Sequence, residues 1–460
     1  MTQSRIIHTG VASLRDLIQR AIRPAGRRGA GLRWVILLLI FLLSFSAFIE
    51  RTTLAVAAER MMPELALTQV QLGWLLTAFV VGYTAFQFPG GVVGLRYGAH
   101  RVLFLSALLG AIASVLLVVI PWLAAGTMMV SLLCGSRFLL GVAQAPLYPV
   151  SSGALVVWFP ARQWALALGL LVTGIGLGAA VTPPAVAWLM STAGWRASVV
   201  LAAIPGALAG LLWWLFGRDD PNAASGAATL SSTDHMRQPT LALVWREALG
   251  LVVDPDVLAL SVSYVLDNAV VYLMTYWSFL YLVQERHFTV LEGGALASVP
   301  FLIGAIGAAI GGRSCDVLCQ RVGVKWGVRL IPLLALPVVA VSLCLAARSA
   351  DASVAVLALT VCYGGLQMVE GSYWGAGMRL GGERTMAATG VLNTGGNLGG
   401  VVITPIIGYL SAQRYWTACF VMGAACALAA ALLWLFVDAT RARAPEARLS
   451  ELNPYGCLDN

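Results

Sequence analysis

Five charged residues stand inside apolar runs, where a charge near the bilayer centre costs about 2.5–3.5 kcal/mol on insertion scales. Glu50 and Arg51 lie within FSAFIERTTLAV, and Arg137 opens RFLLGVAQAPLYP. Asp267 lies within YVLDNAVVYLMTYW and Glu370 within LQMVEGSYWGAG. An arginine guanidinium is a planar fork that grips a carboxylate with two hydrogen bonds. A carboxyl group in a low-dielectric site can load and release a proton near neutral pH. Arg51 and Arg137 are therefore the candidate anion-binding groups. Glu50 is the first candidate proton carrier, Glu370 a second and Asp267 a possible third. Neutral polar groups recur at helical spacing around them. Gln144 follows Arg137 by two turns, Tyr83 and Gln87 are one turn apart, and so are Asn393 and Asn397. Tyr272, Trp277, Tyr373, Trp374 and Phe48 add aromatic surface, with Trp374 one turn after Glu370. The bland alternative is that Glu50 pairs with Arg51 or Arg137 and only locks the first apolar run to the fourth, the amides being packing hydrogen bonds.

The elements that must position these groups follow from composition. Of 460 residues, 59% are apolar and 11% charged, and the mean hydropathy is +0.83. Soluble domains carry about 25% charged residues, so lipid is the solvent for most of this chain. That excludes soluble enzymes, disordered scaffolds and disulfide frameworks. The sequence predicts an all-α membrane protein with twelve spans near 33–56, 70–93, 101–121, 126–148, 162–188, 196–217, 257–284, 293–315, 327–347, 353–378, 384–411 and 414–438. Residues 1–32 form a basic N-terminal segment, in which Leu14, Leu17, Ile18 and Ile22 could lie as a surface helix, the equal alternative being a floppy basic tail. Two six-span halves, 33–217 and 257–438, flank a polar linker at 218–256, and a tail follows at 439–460.

The halves echo each other. GGVVGLRYGAHR at 90–101 and GGRSCDVLCQRVG at 311–323 start 221 residues apart, each after the second span of its half. Two copies of a helical unit are common in secondary transporters. The net charge of +8 is dispersed between apolar runs, which argues for topology signals rather than nucleic-acid binding. With the N-terminus inside, the outer loops hold only Arg60, Arg196, Arg286, Arg348 and Arg414. Both termini are thus expected in the cytoplasm.

Other chemistry finds no footing. The eight cysteines show no CxxC pair and no histidine at metal spacing, so free thiols are expected. The glycine clusters GIGLG at 174–178 and GGNLGG at 395–400 sit in apolar runs without the Lys-Ser/Thr of a phosphate loop, and read as close helix packing. Pro183, Pro184 and Pro405 are expected to kink their helices. No cofactor, metal or nucleophile–base pair is indicated.

Taken in order, FIERTTLAVA, YTAFQFPGG, RFLLGVAQAPLYP, VWFPARQ, YLVQERHFTVLEGGALASVPF and VLNTGGNLGGVVITPIIGYL resemble the anion:cation symporter branch of the major facilitator superfamily, across roughly 33–438. The resemblance implies twelve helices in two bundles and proton-linked uptake of an organic anion. It places that branch's acid–arginine pair on Glu50 and Arg51, its helix 4 arginine on Arg137, its helix 2 tyrosine on Tyr83 and its helix 11 asparagine on Asn393. Arg96, Arg101, Asp316 and Arg321 fall in the loop motifs that act as charge latches. Three positions depart from the pattern: Gln144 where bacterial relatives usually carry an acid, Leu95 where the first loop motif carries an aspartate, and Phe48 where many relatives carry a tyrosine.

The leading expectation is a monomeric proton:organic-anion symporter of the bacterial inner membrane, working by alternating access on a sugar acid or an aromatic acid. An exporter or exchanger is the alternative, because Gln144 cannot titrate. A membrane sensor that binds an anion without net flux is a third reading. The partners expected are a small carboxylate, protons and lipid, with no nucleic acid.

Overall fold

The structure is a computed structural model that describes residues 27–159, 164–219, 254–381 and 385–440. The surface helix considered for Leu14–Ile22, most of the linker and the tail after 440 lie outside the described residues. Inside lipid every backbone N–H must find its partner within the chain, so apolar runs become helices. In chain order these are α1 (Arg27–Leu65), α2 (Gln69–Tyr97), α3 (Ala99–Leu123), α4 (Gly126–Gln144), α5 (Leu147–Trp158) and α6 (Trp164–Phe216). They continue as α7 (Pro255–Gln284), α8 (Val290–Val322), α9 (Val324–Arg348), α10 (Ala352–Gly381), α11 (Thr385–Ala412) and α12 (Trp416–Leu433). Among the described residues eleven helical stretches are long and apolar enough to cross a membrane.

The helices differ from the sequence expectation in three places. Most outrun their apolar cores: α1 has 39 residues, about 58 Å at 1.5 Å per residue against a hydrocarbon core of about 30 Å. The fourth apolar run divides into α4 and α5 at Ala145–Pro146, where a proline cannot donate to the preceding turn. The fifth and sixth runs join in α6, whose 53 residues break at Gly194 (φ 81°, ψ 167°). Pro183 and Pro184 lie within helical backbone of α6, and Pro405 within α11.

The internal echo extends to backbone geometry. Thr68 caps α2 and Thr289 caps α8, again 221 residues apart. In each case the threonine hydroxyl accepts from the third residue's N–H, and that residue's side chain, Gln71 or Glu292, accepts from the threonine N–H. The far ends match too. A single glycine joins α2 to α3 (Gly98, φ 85°, ψ 154°) and α8 to α9 (Gly323, φ 82°, ψ 161°). Only glycine enters that region without strain.

Large apolar side chains point outward, as for Trp122, Leu123, Leu334 and Phe436, all about 70% exposed, which fits lipid as the outer solvent. The end of the bundle at which α1 stops, here the distal end, is closed. There Gln69 Nε2 (α2) donates to Gln284 Oε1 (α7) at 2.6 Å, and Gln284 Nε2 donates to Glu59 Oε2 (α1) at 2.9 Å. Towards the same end α2 meets α11 at Gly73 and Gly408, and α6 meets α8 at Ala187 and Gly294.

Candidate functional site

α1 carries Glu50 and Arg51 on consecutive residues, so a helix turn of about 100° sends them to different faces. Arg51 Cζ lies 4.4 Å from the ring centroid of Tyr83, 5.0 Å from Phe79 and 5.3 Å from Phe48. The guanidinium is half-buried, and its Nε makes no hydrogen bond among the described residues. Arg137 is fully enclosed, with its Cζ 5.2 Å from the ring centroid of the same Phe79. Its Nη2 donates to the Arg51 carbonyl at 3.0 Å, while Nε and Nη1 find no acceptor. The two arginines thus share Phe79, and the second braces the backbone of the first.

Glu50 forms an ion pair with neither, although Arg137 lies within its electrostatic reach. Its carboxylate sits against Gly110 of α3 and Gly206 of α6, where a Cβ on either glycine would collide with it. Gln144 Nε2 donates to Glu50 Oε2 at 3.2 Å and to the Ala47 carbonyl at 2.9 Å. Glu50 Oε1 has no donor. Ser46, Ser106 and Gln144 line a cavity of about 10 Å³ beside it, room for at most a single water. Among the described residues only Arg196–Glu64 and Lys325–Asp438 form ion pairs. The lock expected if Glu50 neutralised either arginine is therefore not what holds α1 to α4.

Across from Arg51, Tyr272 of α7 donates from its hydroxyl to Asn397 Oδ1 at 2.7 Å. Asn397 Nδ2 donates to the Asn393 carbonyl at 2.9 Å and to Gln87 Oε1 of α2 at 3.4 Å. Gln87, Tyr272 and Asn397 are thereby joined between α2, α7 and α11, with Asn393 half-buried one turn away. Asn397 and Tyr276 are the neighbours that sequence reasoning underweighted. Tyr276 is fully buried with its hydroxyl unpartnered and sits within electrostatic reach of both arginines.

Glu370 of α10 stands in a second aromatic setting. Trp374 Nε1 donates to its Oε2 at 2.8 Å, and the Tyr264 hydroxyl donates at 3.1 Å. The Tyr148 ring lies 6.5 Å from that of Trp374. Asp267 is fully buried in α7, and neither of its oxygens has a partner. Trp277, also fully buried, packs beside Gly408.

The expected latch residues Arg96, Arg101, Asp316 and Arg321 are exposed at the proximal end, and among the described residues none is ion-paired. The contacts there are made by other groups. Asp219, just after α6, accepts from the His100 N–H at 2.6 Å, and Trp213 Nε1 donates to the His100 carbonyl at 3.0 Å. In the second half Asp438, just after α12, pairs with Lys325 Nζ at 2.7 Å and accepts from the Thr440 hydroxyl at 2.6 Å. Those two donors hold the Asp438 carboxyl well below the usual carboxylate range. Asp219 thus grips the start of α3, and Asp438 the start of α9. The sequence signal was available, since both acids stand within three to five residues of a helix end, but long-range pairing is not readable from spacing.

The described cysteines are all free thiols. The family model described as the Major Facilitator Superfamily matches residues 40–378. A probable galactarate/D-glucarate transporter of Bacillus subtilis is 25% identical over 429 residues, covering 91% of this chain and 94% of that protein. A D-galactonate transporter of Escherichia coli is 25% identical over 441 residues, covering 92% and 98%. Among solved structures, a bacterial homolog of the human lysosomal transporter Spinster, inward-facing and occupied, superposes with a TM-score of 0.69 at 16% identity, covering 89% of this chain and 97% of that one.

Proposed function

The chain belongs to the Major Facilitator Superfamily, and we propose that it is a proton-coupled symporter of an organic carboxylate. The observation that carries this reading is the Arg51 guanidinium: half-buried, ringed by Phe48, Phe79 and Tyr83, and paired with no carboxylate among the described residues. A cation placed so deep without a counter-charge is costly unless an anion visits it. The sugar-acid names of the relatives supply the anion class.

In this proposal α4 and α5 together make one crossing and α6 makes two, split at Gly194, which gives twelve crossings in two six-helix bundles. Arg51 grips the carboxylate, with Arg137 behind it as a second charge. Tyr83, Gln87, Tyr272 and Asn393 line the path, and Trp374 offers a face for the substrate's carbon skeleton. Gln144 acts through Glu50, which it holds by a hydrogen bond. Glu50 carries the proton, because its Oε1 is free of donors and its cavity leaves room for one water. Asp267 is a reserve proton site in the second half. The basic-residue asymmetry puts both termini in the cytoplasm of a bacterial inner membrane. The closed distal end then faces outward, so this conformation opens inward, and the Gln69–Gln284–Glu59 bonds must break for the cavity to open the other way. Arg96, Arg101, Asp316 and Arg321 stand on the inner side as candidates for the reverse latch. The protein acts as a monomer in this account.

One observation favours the second reading, an exchanger without proton coupling: the residue hydrogen-bonded to Glu50 is a glutamine, which cannot relay a proton by titrating. Uptake of radiolabelled acid into proteoliposomes under an imposed pH gradient separates the two. Accumulation above equilibrium supports symport. Uptake that ignores the gradient but responds to acid preloaded inside supports exchange, and binding without flux supports a sensor.

A further inference from the structure

Glu370 and Arg51 form two poles of opposite sign on opposite halves of the chain. Glu370 is held from one side by the Trp374 indole at 2.8 Å and the Tyr264 hydroxyl at 3.1 Å. No arginine or lysine among the described residues pairs with it. Tyr148 lies between the poles: its ring is 6.5 Å from that of Trp374 and tilted to it by 42°, and its hydroxyl lies within electrostatic reach of both Tyr83, on which Arg51 rests, and Glu370. A carboxylate has about four lone-pair positions, and two protein donors leave the rest for a ligand. Those positions accept from hydroxyl or amine donors and repel a second carboxylate. The Trp374 and Tyr264 rings, edge to face at 6.4 Å, add apolar surface for a carbon skeleton beside the acid.

From this arrangement we infer that Glu370 is a specificity-determining residue that selects monocarboxylates bearing hydrogen-bond donors at the far end and rejects dicarboxylates of the same skeleton. The inference rests on the proposed carrier function and narrows its substrate class. It also divides the relatives, since galactonate and galactarate share one carbon skeleton and differ only in whether carbon 6 is an alcohol or a carboxylate. A site with Glu370 opposite Arg51 suits the alcohol. Specificity then comes from a repulsive element as much as an attractive one.

The test is thermal-shift titration of the purified full chain with three matched pairs: galactonate and galactarate, gluconate and glucarate, 4-(hydroxymethyl)benzoate and terephthalate. The expected result is that the wild type binds the hydroxy member of at least one pair about tenfold or more tighter than its diacid. In Glu370→Gln, which keeps the shape and removes the charge, that ratio should fall towards one. Wild type that binds at least one of the acids but discriminates tenfold in no pair, or a ratio unchanged in Glu370→Gln, overturns the inference while the carrier reading stands. Binding of none of the six acids overturns the carrier reading and this inference with it. The wild-type ratio needs no variant, so misfolding of Glu370→Gln leaves the first arm decisive.

Discussion

Replacing Arg51 separates a ligand-binding cation from a packing one. Arg51→Met keeps the apolar stem and removes the charge, whereas Arg51→Lys keeps the charge and removes the fork. Among the described residues the guanidinium makes no ion pair and its Nε no hydrogen bond, so what holds it is three ring contacts at 4.4, 5.0 and 5.3 Å and the neighbouring tyrosine hydroxyls, Tyr83 first. Such contacts contribute about 0.5–2 kcal/mol depending on desolvation, while moving the cation out of water costs several. Unliganded Arg51→Met should therefore melt at or above the wild-type temperature. Binding should behave oppositely. Two charge-assisted hydrogen bonds to a carboxylate are worth about 1.5–3 kcal/mol each, so Arg51→Met should weaken acid binding by about 3–6 kcal/mol, on the order of 10²- to 10⁴-fold. Arg51→Lys, losing about one of the two bonds, should weaken it by roughly 10- to 100-fold. The assay is thermal-shift titration of purified protein with whichever organic acid stabilises the wild type, since ligand stabilisation follows RT ln(1 + [L]/Kd). Arg51→Met binding within threefold of wild type, or unliganded Arg51→Met melting far below it, would refute the reasoning.

Gly206→Ala should lower stability by about 1–3 kcal/mol, because the added methyl meets the Glu50 carboxylate. Glu50→Ala in the same chain should restore most of that loss, and a double-mutant cycle of melting temperatures without coupling would contradict the close approach. The Lys325–Asp438 pair gives a pH test of sign. The Asp438 carboxyl is held below its ordinary range, so its contribution is complete above about pH 4–5 and fades only as pH falls below the unfolded value near 3.9. The melting gap between wild type and Asp438→Asn, about 1 kcal/mol for a partly exposed pair, should be the same at pH 8 and pH 5 and shrink at pH 3.5. A gap that closes by pH 5 contradicts it.

Much of the fold is legible in the sequence because lipid leaves few options: an apolar run long enough to span must be a helix. The polar gap after residue 217 and the glycine pairs at 90 and 311 also reveal a repeat, which the capping threonines and one-residue turns then match in backbone geometry. Helix continuity is less legible. The joint at Gly194 and the break at Ala145–Pro146 depend on how neighbouring turns satisfy their backbone, which hydropathy does not encode. At the site, residue type identifies Glu50, Arg51 and Arg137 as out of place in an apolar run, but the direction of each side chain is a property of the packed bundle. Adjacent residues Glu50 and Arg51 read as a pair in sequence and diverge in the fold, one towards Gly206 and the other towards Tyr83. Asp219 and Asp438 were hidden for the same reason, since their partners lie more than a hundred residues away.

The central claim is that an anion held by Arg51 moves together with a proton held by Glu50. The most direct test is the pH inside proteoliposomes, followed with an entrapped dye, when a stabilising acid is added outside. Wild type should acidify the lumen in step with uptake of radiolabelled acid. Glu50→Gln should lose the acidification yet keep counterflow exchange of the same acid at a measurable rate. Acidification that persists in Glu50→Gln, or wild-type uptake with no proton movement at all, contradicts the account.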